Sequence, residues 1–133
     1  MATAAAQAQI TPYERIGGRD ALRRIVDRFY DLMDGDPAYA RLRAMHAADL
    51  APMRRSLAGF LAGWCGGPRD WFEANPGKCM MSMHAPFAID AQVAGQWAEA
   101  MERAIADTDL ADKEIAGEMA RVLGQLARSM ARS

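Results

Sequence analysis

His46 and His84 are the only histidines in the chain, so metal chemistry through imidazole rests on one or both of them. His84 stands inside Met80-Met81-Ser82-Met83-His84-Ala85-Pro86-Phe87. No second ligand cluster accompanies it, which argues against a zinc site. A cofactor that brings four ligands of its own needs only one histidine from the protein, and haem is such a cofactor. The same histidine also suits an ordinary core or surface position. Tyr30 and Trp97 are the polar aromatics that could face such an iron. Tyr30 sits at the rim of an apolar helical stripe, where it could equally snorkel to water. Trp97 falls on an inward face, where plain packing would explain it, yet a buried indole N–H needs an acceptor and a small diatomic molecule is one.

Other chemistries lack their residues. There is no glycine-rich phosphate loop, no nucleophile elbow and no HExxH pair. Gly17-Gly18 and Gly66-Gly67 follow helical segments and read as helix stops. Cys65 and Cys79 make neither a metal-ligand spacing nor a disulfide framework, which suits a reducing cytoplasm. The net charge of −1 is spread along the chain with no basic block, so nothing points to nucleic acid. No apolar run nears the roughly 18 residues of a membrane span. Ten methionines in 133 residues suit a core shaped around something irregular, or simply a soft helical core.

The elements that must carry these residues are helical, and the expected class is all-α. Thr11-Pro12-Tyr13-Glu14 reads as a capping box with proline in the first turn, opening a very short helix. A helix from about Asp20 to Met33 follows, with Leu22, Ile25, Val26, Phe29 and Met33 as its stripe. Asp36-Pro37 starts a short piece to about Arg43. Asp49 is the expected cap of a helix with Leu50, Met53, Leu57, Phe60, Leu61 and Trp64 inward, ended by Gly66-Gly67-Pro68. Residues from about Arg69 to Met80 carry little helical signal and hold the turn Asn75-Pro76-Gly77. A helical turn over Met80 to His84 is cut by Pro86. Asp90 caps a long helix to about Ala106 with Val93, Trp97, Met101 and Ala104 inward. The last helix, about Ala111 to Met130, turns Ile115, Met119, Val122, Leu123, Leu126 and Met130 inward. Residues 1–10 are expected to be a disordered tail, without the features of a signal peptide, and 11–133 a single domain.

In order, these segments resemble the truncated haemoglobins of group II. Tyr13-Glu14-Arg15-Ile16-Gly17-Gly18 resembles the family's shortened first helix. Val26 to Met33 is similar to its second helix with the Phe-Tyr pair. Phe60 to Pro68 looks like the end of its distal helix, His84-Ala85-Pro86-Phe87-Ala88-Ile89 like its proximal-histidine motif, and Trp97 like its characteristic tryptophan. The resemblance implies a globin-like, two-over-two helical sandwich around haem b. It implies His84 as the iron ligand and Tyr30, Trp97 and His46 as distal hydrogen-bond donors. Met53, Leu57 and Phe60 would line the distal wall, with Phe29 and Phe87 near the porphyrin. One departure stands out. Where many members carry arginines for a haem propionate, this chain has Lys78-Cys79-Met80-Met81-Ser82-Met83. Lys78 can substitute and Met83 cannot.

The implied function is tight, slowly released binding of dioxygen, with carbon monoxide and nitric oxide as further ligands, in a cytoplasmic monomer or weak homodimer. Whether it is also an enzyme stays open at this point. The alternatives are a nitric oxide dioxygenase or peroxidase served by a separate reductase, and a haem-free helical interaction module.

Overall fold

The computed structural model describes residues 10–77, 84 and 87–131. It has seven α-helices among them and no strand. They are α1 (Pro12–Ile16), α2 (Gly18–Gly35), α3 (Ala40–Ala44), α4 (Ala51–Trp64), α5 (Asp70–Ala74), α6 (Ala91–Asp107) and α7 (Lys113–Ser129), with a 3-10 turn at Pro37–Tyr39 before α3. None is long and apolar enough to cross a membrane.

Local sequence sets the ends. Thr11 Oγ1 accepts the Glu14 N–H at 3.2 Å, as a capping residue should. Gly17 closes α1 at φ 115°, a left-handed conformation that side chains with a Cβ avoid. Gly18 does not stop the chain: it is already the first residue of α2. Asp90 and Asp112 cap α6 and α7 by accepting N–H bonds from Val93 at 2.9 Å and Ile115 at 3.0 Å. Asp49 acts one residue earlier than expected. It accepts from Ala51, the first helical residue, at 3.0 Å, while Leu50 between them is buried outside the helix.

The layers are two helix pairs. α6 packs along α7, and α2 packs on both α4 and α6. The α2 stripe from Leu22 to Met33 is buried without exception, and the removal of so much aliphatic and aromatic surface from water is what fixes α2 between its neighbours. Arg54 on α4 ties the α2–α4 pair by donating to the carboxylates of Asp27 and Asp31 at 3.1 and 2.9 Å. Across the α2–α6 side, Arg103 donates to Asp36 at 2.8 Å and to the Tyr39 hydroxyl at 3.0 Å. That hydroxyl in turn donates to Glu99 at 2.9 Å.

One element was not expected. The stretch after Pro68 forms α5, and its Trp71 and Phe72 dock on α4 beside Phe60, ring centroids 5.5 Å away in both cases. The reason is steric. A Cβ at Gly63 would lie 2.5 Å from the Phe72 ring, so only glycine lets α5 come this close.

Candidate functional site

α4 and α7 face each other across a cavity of about 430 Å³, a size that encloses a cofactor. α4 contributes Met53, Leu57 and Phe60, α6 contributes Val93, Ala94 and Trp97, and α7 contributes Leu123, Leu126 and Ala127. Leu42 and Met45 close one end, and Ile89 and Met130 another part of the wall. No lysine, arginine, aspartate or glutamate lines it among the described residues.

Within this apolar shell a few polar groups converge. Tyr30 is only 2% exposed, and its hydroxyl has no hydrogen-bond partner among the described residues. Among the described residues no side-chain nitrogen or oxygen is fully buried without a partner, so the hydroxyl opens on the cavity that Tyr30 lines. Burial pushes its pKa up to about 12, against a weaker opposing pull from Arg54. The Arg54 guanidinium lies 5.7 Å from the ring centre. Trp97 is half-buried beside Phe29, centroids 5.1 Å apart, and its indole N–H likewise has no acceptor among the described residues.

His46 is tied differently. Its Nδ1 lies 2.9 Å from the Leu42 carbonyl oxygen. A carbonyl only accepts, so Nδ1 carries the hydrogen and the neutral ring keeps its lone pair on Nε2. The ring is 6.1 Å from that of Tyr30. In this tautomer the ring nitrogen left over is an acceptor. His84 is half-buried on the same cavity, 6.2 Å from the Phe87 ring, and its carbonyl accepts the Phe87 N–H at 3.0 Å. The Trp71 indole N–H donates to Ser56 Oγ at 3.0 Å.

The exposed apolar side chains show what the cavity is shaped for. Phe87 is 47% exposed, Met53 40% and Leu126 36%, and all three line it. Among the described residues the only other large exposed hydrophobe is Ile10. Apolar surface facing water is unfavourable by about 25 cal/mol per Å², so an apolar occupant of this cavity would be favoured. A model of the bacterial-like globins matches residues 11–131.

The chain belongs to that family. Solved structures agree. A truncated haemoglobin from the Antarctic bacterium Pseudoalteromonas haloplanktis superposes with a TM-score of 0.87 at 31% identity, covering 93% of this chain and 99% of that one. A group II two-on-two haemoglobin from Agrobacterium tumefaciens gives 0.87 at 30% identity, covering 92% and 95%. The haemoglobin of Chloroflexus aurantiacus gives 0.84 at 31%, covering 93% and 99%. The expected truncated, two-on-two haemoglobin fold is therefore the observed one, and this globin is a haem-binding protein.

In the globin, Tyr30, His46, Met53, Leu57, Phe60, His84, Phe87 and Trp97 all line one cavity. Phe29 does not. It is fully buried behind Tyr30 and Trp97, centroids 4.9 and 5.1 Å away, so it supports the wall and does not form it. Lys78 and Met83 lie outside the described residues. Sequence reasoning missed Leu123, Leu126 and Met130 as wall residues, because a stripe lining a cavity has the same period as one filling a core. It also missed Trp71. The signal available was Gly59 and Gly63 one turn apart on α4, a glycine face onto which aromatic rings can dock.

Proposed function

We propose that this globin binds dioxygen, and carbon monoxide and nitric oxide with it, at a b-type haem whose iron is held by His84. The observation that carries the reading is the convergence, on one apolar cavity, of His84, of His46 already tied to the Leu42 carbonyl, and of two donors without acceptors among the described residues, the Tyr30 hydroxyl and the Trp97 indole N–H. When bound, the cofactor supplies an iron with a coordination position open to a diatomic ligand. The chain supplies the rest. Tyr30 and Trp97 direct hydrogen-bond donors at the partial negative charge of such a ligand, in surroundings where few other dipoles compete. The apolar walls keep water from those donors. His46, its Nδ1 hydrogen on the Leu42 carbonyl, keeps an acceptor near Tyr30 in that tautomer. With no cation on the described part of the cavity, we assign anchoring of the acidic edge of the cofactor to Lys78 and solvent.

Two donors on one ligand slow its release, which suits capture or chemistry better than bulk transport. The chain would act as a monomer or weak homodimer, and any turnover would draw electrons from a separate reductase. The test is to load the purified protein with haemin, reduce it, and follow the visible spectrum under carbon monoxide and then oxygen. A sharp carbonyl Soret band and slow oxygen release are expected. Failure to form a carbonyl complex would overturn the reading. Sustained nitric oxide consumption with a reductant present would place the protein among dioxygenases.

A further inference from the structure

A second cavity, of about 500 Å³, runs along the other side of the α2–α4 pair. Its accessible apolar floor is Ala58 and Ala62 of α4 with Pro68 and Trp71, laid over the fully buried Leu22 and Val26 of α2. Arg19, Arg23 and Arg55 stand on its rim, all exposed, and none makes a hydrogen bond or ion pair with a described residue. Two acids share the groove. Asp27 is already matched by Arg54, and Asp70 has no basic partner. Three uncommitted guanidiniums therefore face one uncommitted carboxylate, in a protein whose net charge is −1. Guanidinium groups bind carboxylates and phosphates through paired N–H donors, and the small side chains between them leave room for an apolar chain.

We propose that this groove binds a single-chain anionic amphiphile, its carboxylate or phosphate head on Arg19, Arg23 and Arg55 and its alkyl tail along Ala58, Ala62, Pro68 and Trp71. Size favours a small molecule. A stable protein partner buries about 1,200–2,000 Å² in all, whereas this is a concave crevice of cofactor-like volume. The site also has a physical link to the haem cavity. Trp71 lines both cavities, held between them by its bond to Ser56, and Arg54 borders the groove while lying over Tyr30. An occupant of the groove therefore borders the same Trp71 that lines the haem cavity.

The test uses the haem-loaded carbonyl form, so that the haem cavity itself is filled and diamagnetic. Decanoate is titrated by calorimetry and by ¹⁵N-resolved NMR, with decanol and acetate as tail-only and head-only controls. The account predicts saturable decanoate binding at least about tenfold tighter than either control, with movement of the Trp71 indole resonance. Arg19→Gln/Arg23→Gln/Arg55→Gln should weaken it about tenfold, and Ala58→Phe, which fills the floor and leaves the charges, should abolish it. Equal binding of decanol, binding untouched by either variant, or no binding of decanoate would overturn the proposal. So would attachment to phosphatidylglycerol vesicles without decanoate binding, which would make the arginines a membrane-facing surface.

Discussion

The Leu42 carbonyl holds Nδ1 of His46 at 2.9 Å, and this one contact fixes which hydrogen-bonding role His46 can play. With Nδ1–H engaged, the neutral ring has only an acceptor left. Tyr30 and Trp97 are then the donors we propose for the bound ligand. Tyr30→Phe and Trp97→Phe should each speed oxygen dissociation by about tenfold, the worth of one hydrogen bond in a low-dielectric site. His46→Phe should change it less than either. Stopped-flow displacement of oxygen by carbon monoxide measures all three, and a His46→Phe effect as large as that of Tyr30→Phe would show that His46 donates.

Tyr30 should stay protonated far into alkali. Its folded pKa is raised to about 12 from an ordinary 10, so between those values the folded chain holds a proton that the unfolded chain has lost. That contribution to stability is complete below pH 10 and disappears as pH rises toward 12. Denaturant titrations of the apoprotein should show the loss in the parent chain and a smaller one in Tyr30→Phe. Identical alkaline profiles would contradict the burial of this hydroxyl.

Phe29 supports the rings of Tyr30 and Trp97 from behind. Phe29→Ala removes a fully buried ring and should cost about 3–5 kcal/mol of unfolding free energy, measured by urea denaturation. Carbonyl complexes of the surviving folded protein should also show a broadened C–O stretch, because both donors lose their backing. A stability loss below about 1 kcal/mol would mean that the site has other support.

Gly63→Ala tests the docking of α5. The added methyl falls 2.5 Å from the Phe72 ring, and overpacking of this kind typically costs about 1–3 kcal/mol. Trp71 should become more exposed, which iodide quenching in the apoprotein reads against Trp64 and Trp97 controls. Unchanged quenching and stability would show that Phe72 moves aside freely.

Much of this was legible in the sequence, for identifiable reasons. The caps at Thr11 and Asp90 and the α2 stripe follow from local chemistry and from a period of 3.6, neither of which needs tertiary context. Tyr30, His84 and Trp97 were recognisable as a set through the resemblance of their surrounding segments, and the structure places all three on one cavity. α5 was not legible. Its five residues are too few for periodicity to register, and its stability comes from rings seated against glycines on α4. Phe29 backs the wall because adjacent helix positions differ by about 100°. Tyr30 reaches the cavity and its neighbour stays behind it. The role of His46 depended on a backbone carbonyl four residues away, which only the fold of α3 brings into reach.

The central claim, that His84 holds the iron, is tested most directly by His84→Gly loaded with haemin and reduced under carbon monoxide, with and without free imidazole. The account predicts that the variant loses the normal carbonyl Soret band and that imidazole restores it by filling the space the side chain leaves. A carbonyl spectrum identical to that of the parent chain, without imidazole, would contradict the account.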